Sequence, residues 1–258
     1  MAYVVAIGGG ELRDGETFSI DKYIVDLAGR AHPHHLFIPT ASKEPQSYID
    51  IVKHVYGDQL GCECDSLRIL GAGKGAEESE EKIAWADIVY VGGGNTRFMM
   101  EAWAKNGIDK MLKAKLQAGV VLSGLSAGSI CWFEGGISDS EIMDNGEGRD
   151  YVKVGGLGLL PGCHSPHLDV RETDEAFRRY LQRNEESFLG IENNCAVMVD
   201  GSGYRIVRSR SDKNAYVFRY SGKGVYEKVL LKDKGEIEDI GRLETKRALR
   251  ATVEGEVC

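Results

Sequence analysis

The chain has 258 residues, 42% hydrophobic and 28% charged, with a net charge of −8 from 32 basic and 40 acidic residues. That is long enough for an α/β core and too ordinary in composition for a disordered chain. It also lacks the run of ~20 apolar residues that a membrane helix needs and any block of Lys and Arg to hold a nucleic acid. Glycine is the outlier, 33 residues or about 13% against a usual ~7%, clustered as Gly8-Gly9-Gly10, Gly92-Gly93-Gly94 and Gly155-Gly156 as tight strand-end loops would require.

In chain order, Tyr3 to Ile7 is a β-branched run that ends in glycines, and residues 21–29 read as a helix. Leu36 to Pro39 is a second strand, residues 48–56 a helix, 66–70 a third strand and 77–85 a helix. Ile88 to Val91 is a fourth strand running into Gly92-Gly93-Gly94-Asn95. Residues 98–116 carry helical periodicity with a break at Asn106-Gly107, and Val120 to Ser123 is a fifth strand. Continuous apolar strands separated by helices predict a parallel sheet covered on both faces. Beyond Ser126 the pattern loosens. Residues 134–158 read as an irregular excursion and 172–183 as a charged amphipathic helix. Short strands follow at 188–191, 196–199, 204–207 and 216–219, with a turn at Asp200-Gly201-Ser202-Gly203, and predict antiparallel hairpins appended to the sheet.

No repeat or linker divides the chain, so residues 1–258 are expected to form a single α/β domain: a three-layer sandwich with a mostly parallel central sheet and an antiparallel C-terminal extension. The N-terminus lacks the basic start and long apolar run of a signal peptide. The cysteines at 62, 64, 131, 163, 195 and 258 read as free thiols of a reducing, cytoplasmic compartment. Cys62-Glu-Cys64 lacks the two-residue spacer and second pair of a metal site, so no metal is expected.

The sharpest feature is Gly124-Leu125-Ser126-Ala127-Gly128, entered from a buried strand and followed by a helix-compatible stretch. This is the setting of a nucleophile elbow: small neighbours let the chain turn sharply and leave Ser126 at an exposed apex. The Ala127 amide and the following helix start can then receive an oxyanion. A serine nucleophile needs a base. His32, His34 and His35 precede the second strand, at the end opposite to where α/β sites form, and are expected to be solvated loop residues. His54 lies on a helix. His164 and His167, in Cys163-His164-Ser165-Pro166-His167-Leu168-Asp169, follow the elbow and lack the spacing of a zinc-peptidase helix. A dinucleotide site is disfavoured, because Arg13 stands where the third glycine of the fingerprint belongs and no Walker lysine follows Gly92-Gly93-Gly94. No cofactor is expected.

Taken together, Val91-Gly92-Gly93-Gly94-Asn95-Thr96, Gly124 to Gly128, Ser165-Pro166-His167 and Pro39-Thr40-Ala41-Ser42 resemble the peptidase E (aspartyl dipeptidase) and cyanophycinase family of serine peptidases. The resemblance implies a fold like class I glutamine amidotransferases, Ser126 as nucleophile, His167 as base, and an oxyanion hole shared by Ala127 with Gly93 and Gly94. For the third member it implies an acid between serine and histidine. Asp139 is preferred, while a strict count from the serine gives Glu141. The amidotransferase pattern gives Asp169, two residues after the histidine, and Glu192 is an outside choice. Amidotransferases carry cysteine at the elbow, and here Cys131 lies five positions on. The implied activity is hydrolysis of short peptides, including Asp-Xaa dipeptides or isopeptides, through an acyl-enzyme. Asn95, Arg97 and Arg171 are the substrate-binding candidates, since an acidic side chain pairs best with an arginine fork. Hydrolysis of a non-peptide amide or ester, and a catalytically silent binding protein on the same fold, stay open. The expected partner is a small peptide, with neither nucleic acid nor membrane, and a homo-oligomer is left open.

Overall fold

The structure, a computed structural model, describes residues 2–71, 76–117, 119–146, 149–201 and 203–236. Ser202 of the expected turn and Cys258 lie outside them. In chain order the elements are β1 (Tyr3–Ile7), α1 (Phe18–Leu27), β2 (His34–Ile38), a 3-10 turn (Thr40–Ser42) and α2 (Gln46–Val52), which continues as a π-helical segment (Lys53–Gln59). There follow β3 (Glu63–Ser66), α3 (Ala76–Trp85), β4 (Ile88–Val91), α4 (Thr96–Asn106), α5 (Ile108–Gln117), β5 (Val121–Leu125) and α6 (Ala127–Ile130). The second half holds β6 (Phe133–Ser138), α7 (Ser140–Asn145), β7 (Val152–Gly155), β8 (Leu160–Ser165), α8 (Leu168–Arg171) and α9 (Glu175–Arg183). It closes with β9 (Phe188–Ile191), β10 (Cys195–Asp200), β11 (Gly203–Arg208), β12 (Ala215–Gly222), β13 (Val225–Leu230) and β14 (Lys234–Glu236).

The first sheet has the order β14-β11-β10-β1-β5-β4-β2-β3. Its β1, β5, β4, β2 and β3 pair in parallel, and β10, β11 and β14 extend it antiparallel. Alternation along β1 accounts for the layers. Val4 and Ala6 join one core with α3, α4 and α5 residues such as Ile83, Trp103 and Leu112, whereas Val5 and Ile7 join another with Ile20, Ile24 and Val52 of α1 and α2. Burial on both faces is why these strands read as unbroken apolar runs. The helical break at Asn106-Gly107 is real: Gly107, with φ 74°, ends α4 in the left-handed cap that glycine favours.

Residues 134–158 correct the expectation of an irregular excursion. They supply β6, α7 and β7, part of a second sheet ordered β13-β12-β9-β8-β6-β7, in which β6, β8 and β9 run parallel. The glycines that disguised β6 let it lie close to the elbow helix, since a Cβ on Gly136 would meet Ile130 Cγ2 at 2.6 Å. The second sheet is also covered on both faces. Leu189 and Ile191 of β9 enter the core shared with α3–α5, while Phe188 packs with Phe177 of α9. The third strand lies three residues earlier than expected, at Glu63–Ser66. No helix among the described residues is long and apolar enough to cross a membrane.

Candidate active site

The site lies at the C-terminal ends of β1, β4 and β5, where open α/β sheets place their ligands, against the ends of β8 and β9 of the second sheet. Ser126 follows β5 with φ 58° and ψ −113°, a conformation that a non-glycine residue adopts only when its surroundings enforce it. The enforcement is steric. A Cβ on Gly128 would lie 2.0 Å from Val91 O, and one on Gly124 would lie 2.3 Å from Gly128 O. The Ser126 amide donates to Ile7 O at 3.1 Å, and its carbonyl accepts from the amides of Ser129 and Ile130, which starts α6.

His167, at the start of α8, is likewise left-handed (φ 53°), with its amide on Gly8 O at 3.0 Å. Its Nε2 lies 2.9 Å from Ser126 Oγ and its Nδ1 2.7 Å from Asn193 Oδ1. A carbonyl oxygen can only accept, so Nδ1 carries the proton and donates to Asn193. Nε2 is therefore a lone pair, which accepts the Ser126 hydroxyl proton. Burial, and next the Arg171 charge, hold the His167 pKa below its ordinary 6.5, against the raising influences of Asn193, Asp139 and Asp169.

The third position is thus a correction. Asn193, in the link from β9 to β10, occupies the place for which Asp139 was preferred. Asp139 is 42% exposed at the start of α7, and its carboxylate faces the Arg171 Nη2 at 3.9 Å. Glu141 pairs with Arg97. Asp169 accepts the Asn193 amide at 3.0 Å and pairs with Lys213 at 2.6 Å, and Glu192 accepts the Asn214 amide at 2.8 Å. Glu141, Asp169 and Glu192 are bonded elsewhere. Glycine again makes room: a Cβ on Gly9 would lie 2.0 Å from Asn193 Oδ1 and 2.3 Å from His167 Nδ1. The Gly8-Gly9-Gly10 loop therefore backs the imidazole, a role that its sequence did not suggest.

His164, the other candidate base, is fully buried. It donates from Nδ1 to Leu189 O at 3.0 Å, its Nε2 lies 2.8 Å from Ser129 Oγ, which also meets Ser126 O at 2.7 Å, and burial depresses its pKa to about 3. His35 corrects the expectation of a solvated loop, being fully buried on β2 with its ring stacked on Tyr56 at 3.9 Å.

Of the oxyanion candidates, Ala127 opens α6, where amides have no intrahelical acceptor. Gly93 packs on Ser126, with its Cβ position 3.4 Å from Ser126 Cβ, and its amide donates to the Tyr48 hydroxyl over a long 3.4 Å. Burial pushes the Tyr48 pKa up to about 12, so the hydroxyl stays protonated. Gly94 shapes the loop: at φ 137°, its Cβ would fall 2.3 Å from Ala41 O.

The substrate-binding candidates are more occupied than expected. Asn95 caps α4 through Oδ1 on the Phe98 amide (3.0 Å) and donates from Nδ2 to Asp144 (2.8 Å). Arg97 is paired with Glu141. Arg171 is 3% exposed and donates from Nη1 to Ile137 O (2.5 Å) and Ser165 Oγ (3.2 Å), with its guanidinium 4.8 Å from the Tyr151 ring centre.

Comparison with known proteins matches the family described as Peptidase family S51 over residues 4–207. The chain is 30% identical over 223 residues to Uncharacterized peptidase YgaJ of Bacillus subtilis (strain 168), covering 84% of this chain and 91% of that one. It is 24% identical over 216 residues to Peptidase E of Nostoc sp. (strain PCC 7120 / SAG 25.82 / UTEX 2576), covering 79% and 83%. The crystal structure of a peptidase from an acI-B1 Actinobacterium shares the fold, with a TM-score of 0.67 at 18% identity over 92% of this chain and 97% of that one.

Proposed function

Because the chain belongs to peptidase family S51, we propose that it hydrolyses short peptides through an acyl-enzyme on Ser126. The observation that carries the reading is the chain of contacts from Ser126 Oγ to His167 Nε2 (2.9 Å) and from His167 Nδ1 to Asn193 Oδ1 (2.7 Å). Ser126 Oγ attacks the scissile carbonyl carbon as its proton passes to Nε2. The imidazolium then gives that proton to the leaving amine, and a water molecule, deprotonated by the same nitrogen, releases the acyl group. Asn193 holds the productive tautomer as a carboxylate would, without its charge. The amides of Ala127 and Gly93 are the donors for the oxyanion, Gly93 exchanging its long bond to Tyr48 for the stronger acceptor.

An acidic residue on the acyl side would be received by Arg171. Its Nη2 has Asp139 only at 3.9 Å, beyond hydrogen-bond length, so a substrate carboxylate can take that place; Arg97 is held by Glu141.

The test is a panel of dipeptides and isopeptides, with Ser126→Ala as blank and a fluorophosphonate probe as an independent report on the serine. The expected result is probe labelling and hydrolysis that both vanish in Ser126→Ala, with Asp-Xaa cleaved faster than Asn-Xaa. Hydrolysis that survives Ser126→Ala overturns the mechanism. Equal rates on Asp-Xaa and Asn-Xaa remove the acidic preference and leave the mechanism standing.

A further inference from the structure

Asp169 lies two residues beyond the base yet does not touch the imidazole. One oxygen accepts the Asn193 amide at 3.0 Å, the other takes Lys213 Nζ at 2.6 Å, and the pair is only about a fifth exposed. The peptide unit it grips belongs to the residue whose side chain meets His167 Nδ1. The flanking links are fixed as well: the Asn194 amide donates to Gly9 O at 2.8 Å, and Glu192 and Asn214 exchange backbone and side-chain bonds at 3.1 and 2.8 Å. Asn194 itself is left-handed, with φ 61°. Two hydrogen bonds therefore connect Asp169 to the base through one asparagine, the backbone N–H first and the side-chain oxygen second.

We propose that Asp169 is the positioning residue of this site, fixing Asn193 so that its side-chain oxygen holds His167 in the tautomer and orientation that Ser126 needs. The inference rests on the Ser126–His167–Asn193 reading above. The physical reason is geometric. An asparagine side chain can turn its amide so that NH2 rather than oxygen faces Nδ1, and that would move the ring proton to Nε2 and remove the base. Holding the backbone on one side and packing Gly9 against the oxygen on the other leaves little freedom for that turn. Lys213 neutralises the carboxylate that does the holding.

The experiment is a double-mutant cycle read in steady-state hydrolysis and in the rate of fluorophosphonate labelling. Asp169→Ala should lower kcat by on the order of tenfold to a hundredfold, the size expected for misplacing a catalytic group by about an ångström, with KM little changed. Asp169→Asn keeps an acceptor for the Asn193 amide and should recover most of that loss. Because the Asp169 charge supports protonation of His167, Asp169→Asn should also move the acid limb of the kcat/KM profile to lower pH. Added to Asn193→Ala, Asp169→Ala should have little further effect, since both act through one contact.

Equal factors for Asp169→Ala in the wild-type and Asn193→Ala backgrounds, or a kcat within twofold of wild type, overturn the proposal. If Asp169→Ala fails to fold, Asp169→Ser, too short to reach the Asn193 amide, decides: a kcat within twofold of wild type overturns it, and a loss that Asp169→Asn does not share supports it. Failure of the underlying reading looks different, because Ser126→Ala or His167→Ala would then remain active whatever Asp169 does.

Discussion

Gly9→Ala is the most direct test of the catalytic geometry, because the perturbation is a single methyl group whose position is known. Gly9 is not in the left-handed region, so alanine adopts its backbone without strain and the effect is steric alone. The added Cβ would lie 2.0 Å from Asn193 Oδ1 and 2.3 Å from His167 Nδ1, whereas real Cβ atoms essentially never approach within 3.0 Å. The oxygen must therefore retreat by at least about 1 Å and the ring nitrogen by most of that. Neither has an easy route, since the Asn193 backbone is bonded to Asp169 and His167 is bonded through its amide to Gly8. A displacement of that size in a catalytic pair corresponds to a loss in kcat of roughly a hundredfold. Overpacking alone lowers stability by roughly 1–3 kcal/mol, which leaves the protein folded for assay. The measurements are kcat on the best substrate of the panel and a urea unfolding curve. Gly155→Ala serves as control, because a Cβ there meets nothing within 4 Å among the described residues. A Gly9→Ala enzyme within threefold of wild-type kcat would refute the claim that the Gly9 loop backs the His167–Asn193 pair.

Other outcomes follow from the same geometry. Ser126→Ala and His167→Ala should each abolish hydrolysis, because nucleophile and base act as a unit, while His164→Ala should lower stability by roughly 2–3 kcal/mol through a cavity and the lost bond to Leu189 O yet keep turnover within about tenfold; a dead but stable His164→Ala enzyme contradicts this. Since His167 must be neutral to accept the serine proton and burial lowers its pKa, the acid limb of kcat/KM should fall below the ordinary 6.5, and a limb above that value would count against it as the base. Buried Asp21, between Tyr56 and Thr17, has its pKa raised from 3.8 to about 7 by burial; the folded state then binds the extra proton, so its contribution to stability is full below pH 3.8 and is lost as pH rises to about 7. That loss is about 4 kcal/mol for a shift of about three units. Asp21→Asn should match wild type at pH 4 and exceed it at pH 8 in urea unfolding, and parallel pH profiles would exclude the assignment.

What the sequence revealed depended on whether a residue's task leaves a local mark. Ser126 was legible because its turn demands two glycines in fixed places: only bare Cα atoms at 124 and 128 fit against Gly128 O and Val91 O. His167 was legible through the company it keeps in Ser165-Pro166-His167. Asn193 left no such mark. It sits 26 positions beyond the histidine, in a three-residue link between strands of different sheets, and a search restricted to carboxylates passes over an amide. The available signal was Glu192-Asn193-Asn194 itself, polar residues between two buried strands, one of them in a conformation that asparagine tolerates better than most. The second sheet was hidden for a related reason. Gly135, Gly136 and Gly155 weaken the strand signal of β6 and β7, although Gly136 is there to admit Ile130 and Gly135 to admit Val154 O.

The choice of asparagine has an electrostatic consequence that runs through the whole site. A carboxylate touching Nδ1 would raise the pKa of the imidazole and stabilise the imidazolium by direct contact. Here the two carboxylates that His167 senses are set back and each is matched by a cation, Asp139 with Arg171 and Asp169 with Lys213. Burial and Arg171 then prevail, and the resting base is neutral over a wider pH range than a free imidazole. The same arrangement makes the transient imidazolium harder to form, so its stabilisation must come from fields acting at a distance. Arg171 therefore matters twice, first by opposing protonation of His167 and then as the cation that a substrate carboxylate would partly neutralise. An acidic substrate bound at Arg171 would relieve that opposition at the moment the base has to accept its proton. Binding and base strength would then be coupled through one buried guanidinium, so the substrate preference should be sought in kcat as well as in KM.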